Sequence, residues 1–183
     1  MHVDESTFEQ VVSAHYKSLY RFALSLTHRE ADACDLTQET FRRFAEKGHQ
    51  VRDQSKIKAW LFTTLYREFV DVAQYQSRFD ELDARTADQQ PAPVSAPGER
   101  IDRTAVRDVL MQLEEPYRTP LVLFYLEDHS YKEIAEILNV PIGTVMSRIS
   151  RGRELLRRKL EDQPAPVNEH RVPVASCKPQ GVP

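Results

Sequence analysis

The densest chemistry in this sequence is a run of cations near the C-terminal end. Arg148, Arg151, Arg153, Arg157, Arg158 and Lys159 stand against one acid, Glu154, over residues 148–159. The whole chain carries a formal net charge of -3, so the distribution of charge informs more than its total. A basic run alone is as often a solvated helix face as a binding surface. Projected at about 100° per residue, however, Val145, Ile149, Leu156 and Leu160 form one apolar stripe of a helix. Thr144, Ser147 and Arg151 then point away from that stripe, with Arg148 at its flank and Ser150 and Arg153 nearby. Arginine can grip guanine O6 and N7 with two parallel hydrogen bonds, while serine and threonine accept several bases. Arg153, Arg157 and Arg158 lie further along, where phosphates or solvent are the expected neighbours. The chemistry this set suits is reading the edge of duplex DNA.

Such residues need a helix held at the right angle, and the preceding segment supplies one. Ser130-Tyr131-Lys132-Glu133 is a capping box, with a serine hydroxyl for a free backbone N–H and a glutamate that reaches back. The helix it opens carries Ile134, Ala135 and Leu138 and stops at Asn139-Val140-Pro141. A second helix starts near Ile142. Ala135 is small where the first helix must let the second approach. Helix, tight turn and helix in this pattern make a helix-turn-helix, whose second helix enters the major groove.

The remainder of the chain predicts an all-α protein with two small helical domains joined by a flexible linker, the C-terminal one being the helix-turn-helix domain. Apolar residues recur at three-and-four spacing at Phe8, Val12, Tyr16, Leu19, Ala23 and Leu26. A second helix is expected over Glu30 to Lys47, with Ala33, Leu36, Thr40, Phe41 and Phe44 inward and Gly48 as its C-terminal cap. Ser55 opens a third, carrying Ile57, Trp60, Leu61, Thr64, Leu65, Phe69 and Val72. Residues 1–80 thus form a first domain. Residues 81–103 lack a periodic face, hold five acids to three bases, and read as a linker. Residues 104–162 form the second domain, with Val106, Val109, Leu110 and Leu113 on its first helix. Pro116 suits the first turn of the next helix, where Leu121, Val122, Phe124 and Tyr125 follow and Pro120 is early enough to be tolerated. The proline-rich residues 163–183 read as a disordered tail.

No nucleophile constellation, metal cluster or glycine-rich phosphate loop stands out, so neither enzyme chemistry, cofactor nor metal is expected. Cys34 and Cys177 lack partners at metal-ligand spacing and make a weak disulfide case, which fits a reduced, cytoplasmic setting. The N-terminal ten residues lack the apolar core of a signal peptide. No run approaches the ~18 apolar residues of a membrane span, so no membrane insertion is expected.

The segment Ser-Tyr-Lys-Glu-Ile-Ala-Glu-Ile-Leu-Asn-Val-Pro-Ile-Gly-Thr-Val-Met-Ser-Arg-Ile-Ser-Arg-Gly-Arg (130–153) resembles the last conserved region of sigma-70 family factors, in particular the extracytoplasmic-function group. Asp-Leu-Thr-Gln-Glu-Thr-Phe (35–41) resembles that family's core-polymerase-binding region, and Lys58-Ala59-Trp60-Leu61 the start of its promoter-melting helix. The resemblance implies a transcription initiation factor that binds core RNA polymerase and promoter DNA, reads a −35 element with its helix-turn-helix and opens the −10 region. An anti-sigma factor is a further partner of such proteins. Asp35, Gln38, Glu39 and Arg42 share one polar helix face, which the resemblance assigns to the polymerase clamp. Lys56, Lys58 and Arg67 bracket Trp60, Phe62 and Tyr66, a mixture that suits single-stranded bases stacked on rings beside cations. Lys56, Lys58, Tyr66 and Arg67 are therefore the −10 candidates, whereas Trp60 fits core packing better. Related factors often continue with a basic cluster. Here Glu68, Asp71, Gln74 and Gln76 follow, with Arg78 the one later cation before the linker, which implies weak or narrowly selective melting.

A linker of about 20 residues can extend to ~65 Å. One and a half turns of duplex span ~50 Å, so the two domains could hold two promoter elements at once. Two other readings are compatible with the residues: a stand-alone helix-turn-helix regulator, and a sigma-like decoy for an anti-sigma factor.

Overall fold

The computed structural model of the chain describes residues 3–80 and 101–161. Among the described residues there is no strand, and seven α-helices run in chain order. They are α1 (Glu5–Thr27), α2 (Glu30–Lys47), α3 (Ile57–Asp80), α4 (Ile101–Met111), α5 (Glu115–Tyr125), α6 (Tyr131–Leu138) and α7 (Ile142–Glu161). Short 3-10 turns at Gly48–Gln50 and Gln54–Lys56 join α2 to α3. Residues 81–100 of the expected linker and the tail from residue 163 lie outside the described residues, and the expected linker's last three residues already belong to α4.

The first domain packs α1, α2 and α3 against one another. Its core is built from Leu19, Phe22 and Ala23 of α1, Ala33, Phe41 and Phe44 of α2, and Ile57, Leu61, Phe62 and Leu65 of α3. α1 starts three residues before Phe8 because Asp4 caps it, accepting the Thr7 amide at 2.9 Å. Two members of this domain's expected apolar series are exposed, as are Val106 and Tyr125 of the second domain's. Tyr16 is 43% exposed, stacking on Tyr20 and Phe41, and Val72 is 52% exposed on the distal half of α3. Gly48 does end α2, but with right-handed φ of -60°, so the left-handed cap expected of a glycine is not the reason for it. A Cβ there would meet the Phe44 ring at 2.6 Å and Val3 Cγ2 at 2.9 Å, so close packing demands the glycine.

In the second domain α7 lies against α4, α5 and α6. Val145 and Ile149 of α7 are buried among Leu121, Val122, Ile134, Ile137 and Leu138, while Leu156 is half-buried. Pro116 occupies the first turn of α5 and Pro120 lies inside the helix. Arg118, buried on α5, donates to the carbonyl oxygens of Leu113 at 2.5 Å and Met111 at 3.5 Å. It thereby satisfies acceptors that the end of α4 leaves open.

The two domains are packed together. α3 lies on α6 and α1 on α5, and the buried apolar residues of both domains form one continuous cluster.

Candidate nucleic-acid interface

Each end of the α6–turn–α7 unit is secured locally. The Ser130 hydroxyl accepts the Glu133 amide at 3.3 Å, and the Glu133 carboxylate accepts the Ser130 amide at 2.8 Å, so both halves of the expected capping box are present. The Ser130 hydroxyl also donates to the Glu133 carboxylate at 2.7 Å, and this bond, with that of the Ser130 amide, holds the carboxyl below its usual range. At the other end Asn139 adopts left-handed φ of 52° and its amide returns to Ala135 O, closing the turn before Pro141.

Packing then sets the angle of α7. Gly152 faces α5, where a Cβ would come within 2.8 Å of Leu121 Cδ1 and 3.2 Å of the Tyr117 carbonyl oxygen. A close approach of this kind thus also exists between α7 and α5, a helix outside the motif, besides the one read from the sequence at Ala135.

With α7 so placed, Thr144, Ser147, Arg148 and Arg151 line one open groove, whose opposite wall is Pro116 and Tyr117 of α5. Ser147 and Arg151 are exposed, Thr144 and Arg148 half-buried. Ser147 donates to Thr144 O at 3.0 Å, leaving its acceptor lone pairs outward. Ser150 is exposed but lies outside the groove lining. Arg153 takes another direction. Nine residues after Thr144, it falls about 180° around the helix. Its guanidinium sits 5.7 Å from the Phe124 ring centroid and 5.4 Å from that of Tyr125, with the Tyr131 hydroxyl at 3.4 Å. Arg157 and Arg158 pair along the helix with Glu161 and Glu154.

On α2, Asp35, Gln38, Glu39 and Arg42 share one face outside the Leu36 and Phe44 side, as the spacing predicts. Glu39 organises it. Arg42 grips its carboxylate with two bonds of 2.7 Å, Arg43 adds one of 2.9 Å, and Arg43 reaches on to Glu68 of α3 at 2.7 Å. The Arg42 hydrogen bond, foremost among these, holds the Glu39 carboxyl down at about 2. Arg42 also pairs with Glu46. Arg43, four residues after Glu39, is within reach of helical spacing on α2, whereas Glu68 belongs to α3 and no pattern along α2 could find it. The network also employs Glu68, one of the acids that stand where a basic cluster was expected.

The α3 candidates are divided among three settings. Lys56 is exposed in the 3-10 turn before the helix, and Arg67 is exposed on α3. Lys58 and Tyr66, which meet residues of the second domain, are half-buried. The Lys58 ammonium donates to Glu127 O. The Tyr66 hydroxyl meets Glu115 Oε1 at 3.4 Å, and its pKa is pushed up to about 12 by burial and by the Glu115 charge. Phe62, grouped by sequence with the base-stacking rings, is fully buried, its ring 5.2 Å from Phe22. Trp60 packs edge-on against Phe44 at 5.8 Å, in keeping with its reading as a core residue.

Among the described residues no cluster of His, Cys, Asp or Glu is placed to hold a metal, and no helix is long and apolar enough to cross a membrane.

Comparison with known proteins matches residues 11–79 to Sigma-70 region 2 and residues 103–156 to Sigma-70, region 4. The chain is 29% identical over 171 residues to the ECF RNA polymerase sigma factor SigW of Bacillus subtilis, covering 87% of this chain and 91% of that one. It is 31% identical over 152 residues to the ECF RNA polymerase sigma factor SigL of Mycobacterium tuberculosis, covering 81% and 85%. Among solved structures it resembles the sigma factor RpoE from Bartonella quintana, solved with the anti-sigma factor NepR. There the TM-score is 0.76 at 28% identity, over 86% of this chain and 99% of the other.

Proposed function

The chain belongs to the sigma-70 family, in its extracytoplasmic-function group, and from that premise we propose how its own residues divide the work of directing core RNA polymerase to promoters. Residues 1–80 serve as the polymerase-binding and −10 domain, and residues 104–162 as the −35 domain. The groove of Thr144, Ser147, Arg148 and Arg151 reads the −35 element, since it joins hydroxyl groups to two arginines on one open helix face. Ser150 lies at its edge. Arg153, cradled by aromatic rings, holds α7 in place instead of reading a base.

Asp35, Gln38, Glu39 and Arg42 form the polymerase-facing surface of α2. An ion network fixes Glu39 and Arg42 before the partner arrives, so those two side chains lose less rotamer freedom on binding. Lys56, Lys58, Tyr66 and Arg67 are the −10 candidates, and Arg67 and Lys56 are the two accessible in this arrangement. The protein contributes recognition and strand opening and leaves bond formation to polymerase. The anti-sigma complex of RpoE supports a regulatory partner of the same class for this chain.

The observation that carries the reading is the presence, in one chain and in family order, of the α2 charged face and the α7 groove. Run-off transcription with purified core polymerase on a selected promoter tests it. Glu39→Ala is expected to weaken polymerase binding while leaving −35 duplex affinity intact, and Arg151→Ala to do the reverse. Transcription by core polymerase that is indifferent to the added protein would refute the reading.

A further inference from the structure

The groove assigned above uses one flank of α7. Turning about 100° per residue, the helix sets Ser147 opposite the buried Val145 and Ile149, with Thr144 and Arg151 to one side of it. To the other side fall Ile142, Met146 and Ser150, each about 40° nearer to Ser147 than the last. All three are exposed, Ile142 by 50% and Met146 by 54%. Two large apolar side chains thus stand in water one turn apart, in the opening turns of the helix.

Packing inside the chain does not account for them. Neither belongs to the apolar cluster that holds the domains together. Gly143 lies on the same arc, between Met146 and Ser147, and a Cβ there would meet no described atom within 4 Å. The helix surface is therefore bare beside Met146, where a partner can come close to the backbone.

The opening turns of a recognition helix are the part that meets base edges. An α-helix 10–12 Å across nearly fills a major groove about 12 Å wide. Insertion deep enough for Ser147 and Arg151 to touch bases brings the Met146 flank against them too. Methionine is long and unbranched, so its thioether can adjust to what it finds there. Base edges in that groove are hydrogen-bond donors and acceptors, with one apolar exception, the 5-methyl group of thymine. An apolar side chain pressed on a donor or acceptor displaces its water and returns no hydrogen bond. Against a methyl group it displaces water from apolar surface on both sides, which is favourable.

We propose that Met146 is a specificity-determining residue of the −35 contact, packing on the 5-methyl group of one thymine, with Ile142 extending the same apolar flank. Hydroxyls and arginines on one side of α7 then read polar edges, while Met146 selects a T·A pair on the other. This inference rests on the promoter-reading assignment above, and its test separates the two.

A −35 element is first selected from a randomised duplex library with holoenzyme reconstituted from the full-length chain and core polymerase. Each thymine of the element is then replaced singly by deoxyuridine, which keeps the pairing edge and the O4 acceptor and lacks only the methyl group. Competition binding by holoenzyme compares the duplexes. At one position, loss of the methyl is expected to weaken wild-type binding about fourfold, the effect of burying one methyl group. Met146→Ala is expected to bind the thymine and uracil forms equally, and Met146→Leu to restore the preference. Arg151→Ala is expected to weaken both forms and keep their ratio. An element without a T·A pair, a wild type indifferent to the methyl at every position, or a Met146→Ala variant that keeps the wild-type ratio overturns the proposal and leaves the −35 assignment standing. If Met146→Ala lowers transcription without changing that ratio, the side chain serves a protein contact and the proposal is likewise overturned. If holoenzyme selects no −35 sequence at all, the promoter-reading assignment falls, and the thymine contact with it.

Discussion

At the scale of single residues, neighbouring arginines on one helix meet different surroundings because of where they fall around it. Arg151 opens onto a groove with Thr144, Ser147 and Arg148, whereas Arg153 is spent on Phe124 and Tyr125. Replacing Arg151 with alanine is expected to weaken −35 duplex binding by about 1–3 kcal/mol and to relax selectivity at one base position, measured by gel shift across single-base variants. Arg153→Ala should leave that selectivity intact and cost about 0.5–1 kcal/mol of stability in thermal melts, from the lost cation–ring contact. Equal losses of DNA selectivity in both variants would contradict the division.

At the scale of elements, the helix-turn-helix depends on two local devices and one close approach. Ser130→Ala removes half of the capping box and is expected to cost about 1 kcal/mol. Asn139→Ala places a side chain at φ of 52° without the amide that eases that conformation, and a similar penalty of about 1–2 kcal/mol is expected. Gly152→Ala should be worse in its consequences for binding. The new methyl meets Leu121 and the Tyr117 carbonyl oxygen, and backbone does not yield as a side-chain tip does. A loss of about 1–3 kcal/mol in urea unfolding, together with weakened −35 binding as α7 tilts away from α5, is the expected outcome. A melting curve and duplex affinity like wild type would show that α5 and α7 separate freely there.

At the scale of the molecule, the interface between domains makes stability depend on pH. His129 titrates near 6.5 in an unfolded chain and at about 4 when folded, so the folded form resists protonation. Its contribution is intact above about pH 6.5 and is lost as pH falls towards 4. The groups around it are Lys58 from α3, Glu133 from α6 and Asp128 of its own loop. Glu127 acts in the opposite sense, because burial raises its carboxyl and acidification through that range favours the folded form. Glu133, lowered by Ser130, adds to the acid loss. With the larger shift on His129, melting temperature is expected to drop between pH 7 and pH 4.5, and to drop less in His129→Gln. A steeper drop in that variant would remove His129 from the account.

Much of this was readable along the chain. The bounds of α2, the capping box at Ser130, the stop at Asn139 and the shared face of Asp35, Gln38, Glu39 and Arg42 follow from spacing and residue type, because helical geometry relates residues three and four apart before any partner is chosen. The family resemblance rested on the same stretches. What depended on the assembled molecule was every contact whose partner lies far away in sequence: Arg21 with Glu127, 106 residues apart, Lys58 with Glu127, 69 apart, and Gly152 against Leu121. A linear pattern can say that Glu127 follows a helix and His129 precedes one. Only the docking of α5 and α6 onto α1 and α3 could bury them, since burial belongs to the neighbours that arrive and not to the residue that receives them.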